Sequence, residues 1–208
     1  GWFRVQKVDG TWWFVDPDGS LFWSQGIDCV NFGSMTPIDD REHYFSFLPE
    51  EGTALAAFYG KGSWAPHGYY KDHTPYRSYD FVPANLLRKH GENWRKIEVD
   101  LAHRRLRSWG LNTIANWSDW TFMSARRTPY TGTLHCASKP IAGSEGYWGQ
   151  FSDVFDPAFR EAVRQRVADQ KGKAVGDPWC IGFFVDNELG WGSDDSLALA
   201  ALAALRSR

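Results

Sequence analysis

A parallel α/β fold is predicted by three observations. Strand-like stretches alternate with stretches of helical periodicity. The run WCIGFFV at 179–185 is apolar or small throughout and bounded by turn signals, which marks a strand covered on both faces. Each expected core strand also ends in polar or aromatic residues. Strand and helix in alternation mean parallel strands joined by right-handed crossovers. About four core strands are expected, near 21–29, 111–117, 128–135 and 179–187. A doubly wound sheet and a (β/α)8 barrel both fit this order. No G-x-G-x-x-G or Walker-type loop follows a strand, which lowers the nucleotide-binding version.

The elements are justified in chain order. WFRVQKV, Asp9-Gly10 and TWWFVD read as an outer hairpin, the glycine supplying the positive φ of a tight turn. After Pro17-Asp18-Gly19, residues 21–30 read as a third strand entering the core. Residues 31–91 are rich in Gly, Pro, His and aromatics with only a weak helical pattern, and read as a long functional loop. Trp94, Ile97, Leu101, Ala102, Leu106 and Trp109 share one half of a helical wheel, and Gly110 stops that helix before the strand LNTIANW. A short helical piece near DWTFMSA, a strand in TPYTGTLHC and a loop through GSEGYWGQFSD follow. Asp156 caps and Pro157 opens a helix with Phe159, Ala162, Val163 and Val167 on one face. SLALAALAALRSR is an Ala/Leu-rich helix.

Composition excludes several classes. A net charge of -2 with scattered Lys and Arg offers no face for a phosphate backbone, so nucleic acid is not an expected partner. No apolar stretch approaches the roughly 20 residues of a membrane span, and the N-terminus lacks a basic start and an apolar signal core. Gly1 in place of Met implies a segment upstream. The three cysteines, Cys29, Cys136 and Cys180, have no metal-type spacing, and Cys29 and Cys180 sit in strand-like runs where buried thiols are expected. HGYYKDH has no metal-ligand spacing either, so no metal or cofactor is expected. Twelve Trp, eight Tyr and fourteen Phe supply more aromatic surface than a core needs, a surface suited to stacking on sugar rings.

In parallel α/β folds chemistry collects at the C-terminal ends of strands. Here those ends carry Asp28, then Asn116 and Trp117, then His135, then Asn187 and Glu188. Glu188 stands out, because a carboxylate directly after a buried strand loses solvation unless it is used or paired.

Asn-Glu at the end of a fourth barrel strand is the acid/base signature of the clan of retaining (β/α)8 glycoside hydrolases. With GTWWFVDPDGSLFWSQGID, RLRSWGLNTIANWSD and GFFVDNELGWG in this order, followed by the SLALAAL helix, the chain resembles glycoside hydrolase family 50, the β-agarases, over about residues 1–203. The resemblance implies residues 1–20 as a hairpin leading into a barrel. It implies residues 21–208 as the first four units of that barrel. It implies hydrolysis of β-1,4 bonds in agarose-type galactans, outside the cytoplasm. Glu188 then matches the acid/base, Asn187 holds the sugar 2-hydroxyl, and Asp28, Asn116, Trp117, His135 and Trp191 line subsites. The family's nucleophile follows a seventh strand, so the chain alone is expected to be inactive. The dipeptide by itself also permits a β-galactosidase, mannanase or cellulase, or a carbohydrate-binding protein that has lost its chemistry.

Overall fold

The computed structural model describes residues 1–208 except 66, 142, 145–149, 190–192, 194, 197–200, 203–204 and 206–208. Its strands are β1 (Arg4–Val8), β2 (Thr11–Val15), β3 (Leu21–Phe22), β4 (Gly26–Ile27), β5 (Thr36–Pro37), β6 (Tyr59–Gly62), β7 (Tyr76–Tyr79), β8 (Thr113–Ile114), β9 (Tyr130–Leu134) and β10 (Cys180–Val185). Its α-helices are α1 (Phe81–His90), α2 (Trp94–Ser108), α3 (Trp120–Met123) and α4 (Pro157–Ala168). The architecture is mixed α/β with three small sheets, ordered β1-β2-β3, β5-β7-β6 and β4-β8-β9-β10. The chain divides into two compact units, Gly1–Cys29 with Trp109–Arg208, and Val30–Ser108. No helix among the described residues is long and apolar enough to cross a membrane.

The first unit opens on the expected hairpin. β1 and β2 pair from Arg4↔Val15 to Val8↔Thr11, which leaves Asp9 and Gly10 as a two-residue loop. Their φ values of 49° and 82° are both positive, as a type I′ turn requires. The turn to β3 is held by Asp16, whose Oδ1 accepts from the Asp18 and Ser20 N–H groups at 3.0 and 2.8 Å.

The expected third strand over 21–30 is not one strand. Leu21 pairs antiparallel with Val15, so the hairpin sheet reaches past residue 20, whereas Gly26 pairs in parallel with Thr113. The chain changes sheets between them, and β8 directs the change. The Asn112 side chain donates to Trp23 O at 2.9 Å and accepts from Gln25 N–H at 2.8 Å, and the Ser24 and Thr113 hydroxyls lie 2.8 Å apart. Glycine at 26 permits the approach: a Cβ there would overlap the Thr113 carbonyl.

In the four-stranded sheet every pair is parallel and neighbours follow in sequence order. β10 carries a register shift between Cys180 and Gly182. An extra residue flips the side chains beyond it to the other face. Phe183 then lies over Gly132, where a Cβ would meet its ring at 2.6 Å. The strand is not covered on both faces as expected: Phe184 and Val185 are 54% and 58% exposed. β10 has one strand neighbour among the described residues, β9.

α4 starts as expected, with Asp156 accepting from Ala158 N–H at 2.9 Å and Pro157 in the first turn. Of its expected apolar face, Phe159, Ala162 and Val163 are half-buried and Val167 is exposed. Most of the C-terminal Ala/Leu-rich segment and most of GSEGYWG lie outside the described residues.

The second unit replaces the expected loop over 31–91. Ile38, Tyr79 and Ala84 form a buried core on which Phe45, Leu48, Leu55, Phe58, Tyr59 and Phe81 pack. Tyr79 lies 4.8 Å from both Tyr59 and Phe81, centroid to centroid, edge to face. Asp39 joins the start of this unit to β7, accepting from the Arg77 N–H and the Arg77 guanidinium, each at 2.7 Å. The Arg77 backbone donor first, and then its charged side chain, hold the Asp39 carboxyl below its usual range against the opposing effect of burial. On α2, Trp94 and Leu106 are buried as expected, but Trp109 falls beyond the helix and is exposed, and His103 takes an interior position.

Candidate active site

Because β4, β8, β9 and β10 are parallel and adjacent, their C-terminal ends lie along one edge of the sheet. Asp28 follows β4 and is exposed. Asn116 and Trp117 follow β8, the first buried and the second half exposed. His135 follows β9 directly and is exposed. Asn187 and Glu188 follow β10, the first half-buried and the second exposed. The fold thus brings six of the seven expected site residues to one edge, and Trp191 lies outside the described residues. Glu188 is exposed rather than set in the expected apolar surroundings.

Hydrogen bonds stitch these ends together. Cys29 N–H donates to Asn116 O at 2.9 Å. Asn116 Oδ1 accepts from Thr133 Oγ1 at 3.2 Å and, more loosely, from Thr131 Oγ1 at 3.4 Å. Asp186 N–H donates to Leu134 O at 2.8 Å, and Asp186 Oδ1 accepts from Cys136 N–H at 2.8 Å.

The backbone here is unusual as well. Cys29, Trp117, Asp186 and Glu188 have φ of 58°, 57°, 57° and 43°. Left-handed non-glycine residues are uncommon, and they concentrate where a side chain must be aimed. Cys29 in this conformation is exposed rather than buried as expected, since the chain turns out of the sheet at that point. Cys136 is the buried thiol, and burial first, then the Asp186 charge, raise its pKa above the usual value.

The sequence pattern does not mark three contributors: Asp186 as a hydrogen-bond acceptor, and Thr131 and Thr133 as donors. The threonines were findable, because T-G-T on a strand places two hydroxyls on one face. The Asp186 to Cys136 contact spans 50 positions and has no local signal.

No protein-family model matches the chain. Two curated proteins do match, both from Vibrio sp. (strain JT0107). Beta-agarase B is 32% identical over 93% of this chain and 22% of its own length. Beta-agarase A is 29% identical over 90% of this chain and 20% of its own. The solved structure of an agarase, AgWH50C, superposes with a TM-score of 0.83 at 26% identity, over 99% of this chain and 32% of that one. PfGH50B gives 0.80 at 26% identity, over 90% and 31%. The chain is agarase-like, of the glycoside hydrolase family 50 type. The likeness covers nearly all of this chain, which spans about a fifth of the length of the curated agarases it matches. An agarase-like fold is thus present around the edge that carries Glu188.

Proposed function

We propose that this chain forms the acid/base side of the active site of a retaining glycoside hydrolase that cleaves β-1,4 galactosidic bonds in agarose-type galactans, outside the cytoplasm. The sequential, all-parallel order β4-β8-β9-β10 supports reading the sheet as the first four strands of a (β/α)8 barrel, since a doubly wound sheet would reverse its order at a switch point. The observation that carries the proposal is Glu188, next to Asn187, beyond the fourth parallel strand of a chain similar to β-agarases throughout.

Glu188 protonates the glycosidic oxygen as the bond to the anomeric carbon breaks, and its carboxylate then takes a proton from the water that releases the sugar. Asn187 holds the sugar 2-hydroxyl, while His135, Asn116, Trp117, Asp28 and Trp191 line subsites.

Retaining hydrolysis also needs a carboxylate nucleophile about 5 Å from the acid. Asp28 is a poor fit, because β4 and β10 are three strand spacings apart, about 14 Å at the backbone. Asp186 is engaged with Cys136. Neither carboxylate fits as that nucleophile, and residues 1–208 alone are expected not to hydrolyse agarose.

The test is Glu188→Gln in a polypeptide of the relatives' full length that carries this sequence. Agarose hydrolysis should fall by about three orders of magnitude with binding retained. Activity within tenfold of the parent would refute the assignment. Products formed from agarose, lactose and mannan separate an agarase from a β-galactosidase or a mannanase.

A further inference from the structure

We propose that Asp186 is a positioning residue that fixes the spacing between Glu188 and His135. This rests on the reading of Glu188 as the acid/base. Asp186 is the first residue beyond β10, and it holds the exit of β9 at two points. Its N–H extends the ladder to Leu134 O, and its carboxylate accepts from the N–H of Cys136, both at 2.8 Å. His135 is the residue between those two points. The same side chain is two positions from Glu188, along a stretch in which residues 186 and 188 are both left-handed and the strand pairing has ended.

Residue type fits this task in two respects. Aspartate is among the few residues that enter the left-handed region readily. Its short carboxylate also reaches a backbone donor on the neighbouring strand end, where glutamate would overshoot by a methylene. The Cys136 residue is 1% exposed, so its N–H has no ready replacement partner in water. An anchored donor of this kind transmits position: when the carboxylate acceptor is lost, the bond to Leu134 O remains but the chain through His135 and Cys136 can shift against the exit of β10. A misplacement of about 1 Å at the reacting groups costs on the order of 100-fold in rate.

The experiment compares Asp186→Ala and Asp186→Asn with Glu188→Gln in the same active full-length polypeptide, measuring kcat, KM and the thermal midpoint. Asparagine keeps an oxygen acceptor and tolerates the left-handed backbone. Asp186→Ala is expected to lower kcat about 100-fold with KM changed less than about threefold, and Asp186→Asn to recover kcat to within about fivefold of the parent. If Asp186→Ala keeps its kcat while the thermal midpoint drops, the residue only stabilises the fold and the inference is overturned. It is overturned equally if Asp186→Asn falls as far as Asp186→Ala. Should the alanine variant not accumulate, Asp186→Glu retains the charge but displaces the oxygens; parental kcat in that variant would also overturn the inference. An inactive Glu188→Gln beside a fully active Asp186→Ala defeats this inference alone, whereas an active Glu188→Gln defeats the underlying reading and this inference with it.

Discussion

The two ends of the parallel sheet are built differently. At the N-terminal end, Asp177 is 4% exposed and accepts from the Tyr130 hydroxyl at 3.1 Å, from Arg126 Nε at 3.3 Å and from Trp179 N–H at 3.1 Å. Tyr130 is fully buried there, with Trp120 edge-on to it at 5.9 Å. Asn112 and Thr113 close the same end of β4 against β8. At the C-terminal end, by contrast, Asp28, His135 and Glu188 stand exposed, and four non-glycine residues take left-handed backbone, against Arg126 alone of the residues just named at the other end. One end satisfies its polar groups internally and the other presents them. On the proposed reading as part of a barrel, the first arrangement serves stability and the second serves chemistry.

Substitutions at the two ends should therefore separate stability from activity. The largest expected stability effect is at the closed end. Asp177→Ala leaves the buried Tyr130 hydroxyl and the Trp179 N–H without their acceptor and should cost about 2–4 kcal/mol in denaturant unfolding. A loss below about 1 kcal/mol would mean that water or a neighbour takes over and that the end is less closed than its hydrogen bonds imply. Gly26→Ala comes next: the new methyl meets the Thr113 backbone, and a cost of about 1–3 kcal/mol is expected, with the β4–β8 pairing the first protection lost in hydrogen exchange.

The third effect concerns pH. Burial first, then the Asp177 charge, raise the Tyr130 pKa well above its ordinary value of 10.0. The folded chain keeps this proton at pH values where the unfolded chain gives it up. Tyr130 should therefore add no pH dependence to stability below about pH 10, and stability should decline as pH rises beyond it. Tyr130→Phe should flatten that decline, and an unchanged alkaline slope would contradict the assignment. The smallest effect is expected at the open end. In Cys29→Gly, relief of the left-handed backbone offsets the added freedom of the unfolded chain, so stability should change by less than about 0.5 kcal/mol.

Legibility in the sequence followed locality. The Asp9-Gly10 turn, the Asp156 cap, the Gly110 stop and the three later core strands each depend on a few adjacent residues, and all were readable. The second unit was not, because its core combines aromatics from very short strands and 3-10 turns that show neither the period of a helix nor that of a strand. The split of the third strand was likewise hidden, since the decision is made by Asn112 and Thr113, far along the chain. That six of the expected residues share one edge was legible, because parallel strands place their ends together whatever the details of pairing. The contacts that aim those residues, Asp186 to Cys136 and Thr133 to Asn116, depend on register and could not be read in advance.

The place of the second unit in the chain also bears on how the molecule assembles. Gln25 and Asn112, which bond directly, are 87 positions apart, and Val30–Ser108 accounts for nearly all of that separation. Closing so long a loop from a disordered chain is entropically unfavourable and slows non-local pairing. A segment that collapses early on its own Ile38, Tyr79 and Ala84 core shortens the effective loop before β4 meets β8. The inserted unit is therefore expected to form first in refolding and the β4–β8 pair to join later, an order that pulsed hydrogen exchange would check.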